Sequence, residues 1–312
     1  MKKPLSKTTF NLMMLLCIIV WALAFPLIRL ALQDLSFTSL TILRFIIVCL
    51  AALIIIAVQP RKFSPLQKKD ILPIFLIGCF GVMMYHFGLN YGEQYVTAGA
   101  ASLLIATIPV FTIILSIIFL KEKLTPTTII GVLLALIGVL IISILGAQNT
   151  ALEVTHLGGA LAILMAAIMG SLYTIAGKKL LARYSALSLT LYAMLLGSLV
   201  LLPTLLLTPT FIGEITHMSL VSWFAVIFLG LCSTIIGYVL WYVALEIKTV
   251  SEVSVYLYGI PVLSTIISYV LFGDQITIFF LLGGAFVITG LLLVERRNNR
   301  NNTRKNHDGT TH

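Results

Sequence analysis

Charge is scarce in this chain. Of 312 residues, 11 are Asp or Glu, and charged residues of both signs make up only 10%. A soluble globular domain carries about 25%, so a mostly soluble chain is excluded. The few acids also stand apart. No Asp or Glu falls in the middle of an apolar run, and the nearest is Glu252, at the start of one. His86 has no acidic residue closer in sequence than Glu93. A membrane enzyme acting on lipids needs paired acids, a nucleophile beside a base, or His/Asp metal ligands at short spacing. The sequence supplies none of these patterns. No catalytic residue, metal site or cofactor is expected, and the chain reads as a non-enzyme.

Cysteine is scarce too. Cys17, Cys49, Cys79 and Cys232 all sit in apolar runs, and none forms a C-x-x-C pair. They read as small buried hydrophobes rather than redox or metal groups.

What the chain has is long apolar runs. Hydrophobic residues make up 60% of it. A helix needs about 20 mostly apolar residues to cross a bilayer. Ten runs approach that length, over 9–31, 37–58, 71–90, 97–120, 127–145, 157–176, 186–208, 219–243, 250–272 and 276–294. They are too long and too uniform for the alternating strands of a membrane barrel. The expectation is an all-α integral membrane protein of ten transmembrane helices. The "ALA" at 22–24 after Lys2, Lys3 and Lys7 resembles a signal-peptide cleavage site. The apolar run continues through Ile28, so the first helix is expected to stay.

The net charge of +9 raises the question of nucleic acid, but its placement answers for a membrane. With the amino terminus inside and ten crossings, only Arg29 and Arg44 fall away from the inner loops. That leaves 18 of the 20 basic residues on one side. The other side carries acids: Asp34, Glu93, Glu153, Glu214 and Asp274. This positive-inside pattern puts both termini in the cytoplasm of a multi-pass protein of the cytoplasmic (inner) membrane.

The chain also repeats itself. A shift of 152 residues lays Gly78 on Gly230, Thr97 on Thr249, Pro109-Val110 on Pro261-Val262, Glu122 on Asp274, Gly131 on Gly283 and Gly138 on Gly290. A shift of 149 lays Ser39-Leu40-Thr41 on Ser188-Leu189-Thr190. Spans 1–5 and 6–10 are therefore expected to be two copies of one unit. Five is odd, so the second copy enters the membrane from the opposite side. Such inverted repeats recur in secondary transporters, with substrate near the midplane between the halves.

Trp21, the "LRF" at 43–45, and the doubled pattern of Pro109, Glu122, Leu124, Thr125, Gly131, Gly138 and Pro261, Asp274, Ile276, Thr277, Gly283, Gly290 resemble the drug/metabolite transporter superfamily. The likeness is to its EamA type and covers about residues 9–295. Ala22 after Trp21 and Asp274 in the second copy depart from the usual Gly and Glu, without touching the fold. The resemblance implies two EamA-type repeats, over 9–145 and 157–294, after a cytoplasmic N-terminus at 1–8. A basic tail at 295–312 is expected to be disordered. The function implied is transport of small metabolites, most often export of amino acids or related compounds. The rival readings are a lipid-acting membrane enzyme and a non-transporting scaffold or receptor. Partners are a small-molecule substrate and the bilayer, with no nucleic acid. The protein is expected to be a monomer or a homodimer.

Candidate substrate-binding residues are the polar and aromatic ones inside spans. They are Trp21, Tyr85, His86, Asn90, Tyr173, Tyr238, Trp241 and Tyr256. His86 and Asn90 are four apart and share a helix face. Tyr85 shares a face with the small-residue stripe Gly78, Gly81, Gly88 and Gly92, and Trp241 ends a matching stripe of Gly230, Ser233 and Gly237. Hydroxyls and aromatics suit a ligand with a polar head and a modest apolar part, and rings can also hold a cationic amine. Arg44 is expected to be structural or gating, since the resemblance implies an Arg there whatever the substrate. Pro109 and Pro261 lack N–H groups, so each breaks a helix and marks a hinge or cavity edge. With few titratable groups inside, facilitated diffusion or exchange is expected over carboxylate-based proton coupling. Lys121-Glu122-Lys123 reads as a solvated turn. Ser251 reads as a helix N-cap followed by an acid at Glu252.

Overall fold

The computed structural model describes residues 6–95, 104–141, 157–272 and 278–308. They are helical, and no strand occurs among them. Among the described residues, six helices are long and apolar enough to cross a membrane: α1 (Lys7–Ala31), α2 (Phe37–Val58), α3 (Lys68–Gly92), α6 (Leu157–Leu180), α7 (Ala186–Leu206) and α8 (Leu220–Ile247). Four more helices carry shorter apolar segments: α4 (Ile108–Leu120), α5 (Pro126–Leu140), α9 (Val250–Ser264) and α10 (Ile278–Asp308), the last apolar over Leu281–Val294.

The sequence starts these helices with hydroxyl caps. The side chains of Ser6, Ser36, Thr125, Ser185 and Ser219 each accept from the backbone N–H three residues on. Thr249 does the same for Glu252, whose carboxylate returns to the Thr249 N–H as a capping box. Each cap satisfies an orphan donor and is worth about 1 kcal/mol. This corrects the expectation for α9, whose cap is Thr249 rather than Ser251.

Large apolar side chains cover the outside of the bundle. Leu206 and Leu220 are 85% and 87% exposed. In water such a surface would aggregate; in lipid it is the natural solvent-facing surface.

Packing runs mostly between the first and second halves of the chain. α1 packs on α8 and α9, α2 on α8, α3 on α6 and α7, α4 on α6 and α9, and α5 on α10. Small residues permit these approaches. A Cβ on Gly131 would lie 2.7 Å from the Gly290 carbonyl oxygen, and Gly138 meets Gly283 in the same way.

Two stretches depart from the α-helix. α3 widens into a π-helix at Gly78–Met84, and α8 does so at Leu229–Ile236. Such widening leaves the backbone ladder locally irregular and recurs at functional sites.

Past Glu295, α10 runs on as helix to Asp308. Extending a formed helix adds one bond per residue without a new nucleus, and no Gly or Pro intervenes before Gly309. Asp274, Glu153 and Thr97 lie outside the described residues.

Candidate functional site

A cavity lies between the helices, partly open to the exterior. Its walls come from both halves of the chain: α1, α2 and α3 with residues 105–108, and α6, α8 and α9. Trp21, Tyr85, His86, Tyr173, Tyr238 and Trp241 line it.

These six rings form one connected wall. Trp21 meets Tyr238 edge-on at 5.7 Å and Trp241 at 5.5 Å. Tyr238 continues to Tyr173 at 5.2 Å and to His86 at 6.0 Å, and His86 to Tyr85 at 4.9 Å. Such aromatic pairs prefer edge-on and offset geometries and stiffen a wall.

Polar bonds fix the rings from behind. The Trp21 indole N–H donates to the Ser233 carbonyl at 2.9 Å, inside the α8 π-helix. The Trp241 indole donates to Thr174 Oγ1 at 3.2 Å. The Tyr238 hydroxyl and His86 Nε2 lie 3.3 Å apart. Tyr173 stacks on Tyr242 at 4.8 Å, nearly parallel at 9°.

Arg44 is 2% exposed and also lines the cavity. Its Nε donates to Thr234 Oγ1 at 2.8 Å, and Thr234 in turn donates to the Leu229 carbonyl in the π-helix. The bond braces α2 against α8. Arg44 Nη1 and His86 Nδ1 are buried without a hydrogen-bond partner.

Two of the expected binding residues stand elsewhere. Asn90 is buried and donates to Thr41 Oγ1 at 2.9 Å, tying α3 to α2. The Tyr256 hydroxyl donates to Asn11 Oδ1 at 3.4 Å, and its ring packs edge-on against Phe10. Pro261 lines the cavity; Pro109 is buried in the first turn of α4, next to Ile108, which does line it. Phe25, Ile28, Leu89 and Ser264 line it too and carried no sequence signal beyond apolarity or small size.

Carboxylates sit at the heads of three helices, α8, α2 and α9, outside the apolar spans. At the head of α8, Asp34 Oδ2 accepts from the Ser219 N–H at 2.9 Å and from the Ser219 and Ser222 hydroxyls, both at 2.6 Å. Glu214 accepts from the Ser36 N–H at 2.8 Å and the Thr210 hydroxyl at 2.6 Å. Hydrogen bonds from Ser219 and Ser222 hold the Asp34 carboxyl below the ordinary Asp range. Burial pushes the Glu214 carboxyl up, but bonds from Thr210, Ser36 and Ser39 outweigh it and hold it below the ordinary Glu value.

Beyond the other end of α8, Glu122 accepts from the N–H groups of Val250 at 2.8 Å and Ser251 at 3.1 Å. It also accepts from the Ser251 hydroxyl at 2.6 Å. Lys178 donates to the Leu245 and Lys248 carbonyls beside it. The Glu122 turn is therefore a latch rather than a merely solvated loop. A carboxylate suits this place because the head of a helix presents unpaired N–H groups and positive dipole.

The chain matches the model of the EamA-like transporter family twice, over residues 8–144 and 157–296. An uncharacterized transporter of Archaeoglobus fulgidus is 34% identical over 90% of this chain and 97% of its own. A protein of Streptantibioticus cattleyicolor named a probable terminal-alkyne amino-acid exporter is 33% identical over 94% of this chain and 95% of its own. A solved protein structure superposes with a TM-score of 0.71 at 21% identity, covering 95% of this chain and 99% of that one; it speaks for the fold alone. The chain belongs to the EamA-like transporter family.

Proposed function

We propose that the protein is a secondary transporter that exports a small metabolite, an amino acid or a related compound, by alternating access. The observation that carries the reading is the aromatic-walled cavity, built jointly by the two halves of the chain. The similarity to a protein named as an amino-acid exporter points to the same substrate class.

The two halves act as inverted five-helix copies, 9–145 and 157–294, with both termini in the cytoplasm. Several pairings support this. The π-helices at Gly78–Met84 and Leu229–Ile236 occupy matching places under the 152-residue shift. The α1–α8 contact has α3–α6 as its counterpart, and α2–α8 has α3–α7. Gly131 meets Gly290 while Gly138 meets Gly283, the crossed pairing that a two-fold relation requires. Two such copies can exchange their conformations and so expose the cavity to either side in turn. The Glu122 latch would close one end in one state. The binding set comprises Trp21, Tyr85, His86, Tyr173, Tyr238 and Trp241, with Pro109 and Pro261 structural or gating; Arg44 braces α2 against α8 through Nε.

Uptake of labelled amino acids into proteoliposomes tests this. Saturable flux is expected for the wild type. Tyr85→Ala and Trp241→Phe should lower it by about tenfold while melting temperature and expression hold near wild type. Equal loss of flux and stability would make these side chains packing rather than site. Absence of flux for every compound would remove the transport reading.

A further inference from the structure

We propose that Arg44 is an anchor for a carboxylate, so that the cavity takes a small carboxylate with an apolar or aromatic body. The inference rests on the transport reading for identifying that ligand as cargo. As a binding statement it stands on the cavity alone.

The guanidinium is used only in part by the fold. Nε is spent on Thr234 at 2.8 Å, while Nη1 is buried and has no hydrogen-bond partner. A buried, half-bonded cation is costly, and removing its partner is what makes it so. Among the described residues that line the cavity, none is Asp or Glu. Glu93, at the end of α3, acts on Arg44 electrostatically. It makes no hydrogen bond to it, and its own Oε1 is also buried without a partner. The internal acid therefore leaves the Nη1 position free for a ligand oxygen.

The surroundings narrow the ligand. A guanidinium presents parallel N–H groups that match a carboxylate. Tyr85, His86 and Tyr238 surround it, and His86 Nδ1 is a second unpartnered polar atom in the same wall. The remaining walls are Trp21, Trp241 and aliphatic side chains, which suit an apolar body. A lone cation without a lining acid disfavours a purely cationic amine.

Arg44 also breaks the symmetry of the scaffold. Gly230 lies against the Arg44 carbonyl and Ile47, and Gly78 against the Ala193 carbonyl and Gly197. These are matching contacts, so Ala193 stands where the other half has Arg44. Packing at that place is thus met by Ala in one half. A guanidinium in the other adds a charge that the helix contact itself does not need.

The test is binding to purified full-length protein, read as thermal stabilisation and titration. The probes are the proteinogenic amino acids and 3-phenylpropanoate, each against its carboxamide, with phenethylamine as the carboxylate-free amine. The expected result is stabilisation by at least one apolar or aromatic carboxylate, with its amide about tenfold or more weaker and phenethylamine inert. In Arg44→Gln the acid and amide should bind alike. Should that variant fail to fold, the acid–amide comparison on the wild type still decides. Amides binding as well as acids, or no carboxylate binding, overturns the inference. Flux of the same probes separates the two readings. Acids that bind but do not move defeat transport and leave the anchor; amides that move as fast as acids defeat the anchor and leave transport.

Discussion

His86 Nε2 and the Tyr238 hydroxyl lie 3.3 Å apart, and the two residues are 152 positions apart in the chain. That separation is the offset that lays one half of the sequence on the other. Residues that are copies of each other can touch only on the axis relating the copies. The contact therefore lies where an axis between inverted halves would pass, at the wall of the cavity.

Tyr238→Phe deletes this bond while keeping the rings on Trp21 and Tyr173. A net loss of about 0.5–1.5 kcal/mol is expected, seen as a modest drop in melting temperature, with reduced flux. Unchanged flux would make the contact packing alone.

The α5–α10 contact depends on the absence of side chains. Gly131→Val would force a branched side chain against the Gly290 carbonyl and Val294. Overpacking of this kind costs about 1–3 kcal/mol, so the variant should melt clearly lower. Gly158 has nothing within 4 Å of an added Cβ. Gly158→Ala should match or slightly exceed the wild type. Similar losses in both would mean that helix propensity, not close approach, matters at these glycines.

Glu122 protects particular amides. In Glu122→Ala the Val250 and Ser251 N–H groups lose their acceptor. Hydrogen exchange there should rise by about tenfold, since each charge-assisted bond is worth about 1.5–3 kcal/mol before exposure reduces it. Exchange in the α3–α6 contact should not change. Undisturbed protection at Val250 would show that the latch is incidental.

Asp34 gives a pH dependence of known sign. Its folded pKa lies below the ordinary value because Ser219 and Ser222 donate to it. A depressed group stabilises the fold above its unfolded pKa and loses that contribution as pH falls through the folded pKa. Asp34→Asn should therefore melt below wild type at neutral pH. The two curves should converge below about pH 4. A gap that is the same at every pH would contradict this origin.

The sequence carried the architecture further than the site. Apolar runs of bilayer length, the Ser and Thr caps, and the doubled Pro-Val and Gly spacing are local signals, and family membership followed from them. The cavity depends on contacts between distant residues. Asn90 shares a face with His86, yet bonds to Thr41 because α2 packs there. Tyr256 is an aromatic among aromatics, but its position toward α1 gives it to Asn11 and Phe10. The π-helices, the Glu122 latch and the unspent Nη1 of Arg44 arise only when helices meet, and no run of residues encodes them alone.

The central claim is that substrate passes through the cavity between the halves. Ser264 lines that cavity on α9, and Ser264→Trp would place a bulky ring in it. Counterflow of a labelled amino acid in proteoliposomes, measured for the wild type and this variant at matched melting temperature, is the direct test. The account predicts saturable counterflow in the wild type and at least about a tenfold loss in the plugged protein, as expected when a bound ligand loses its space. Equal counterflow in both would contradict it.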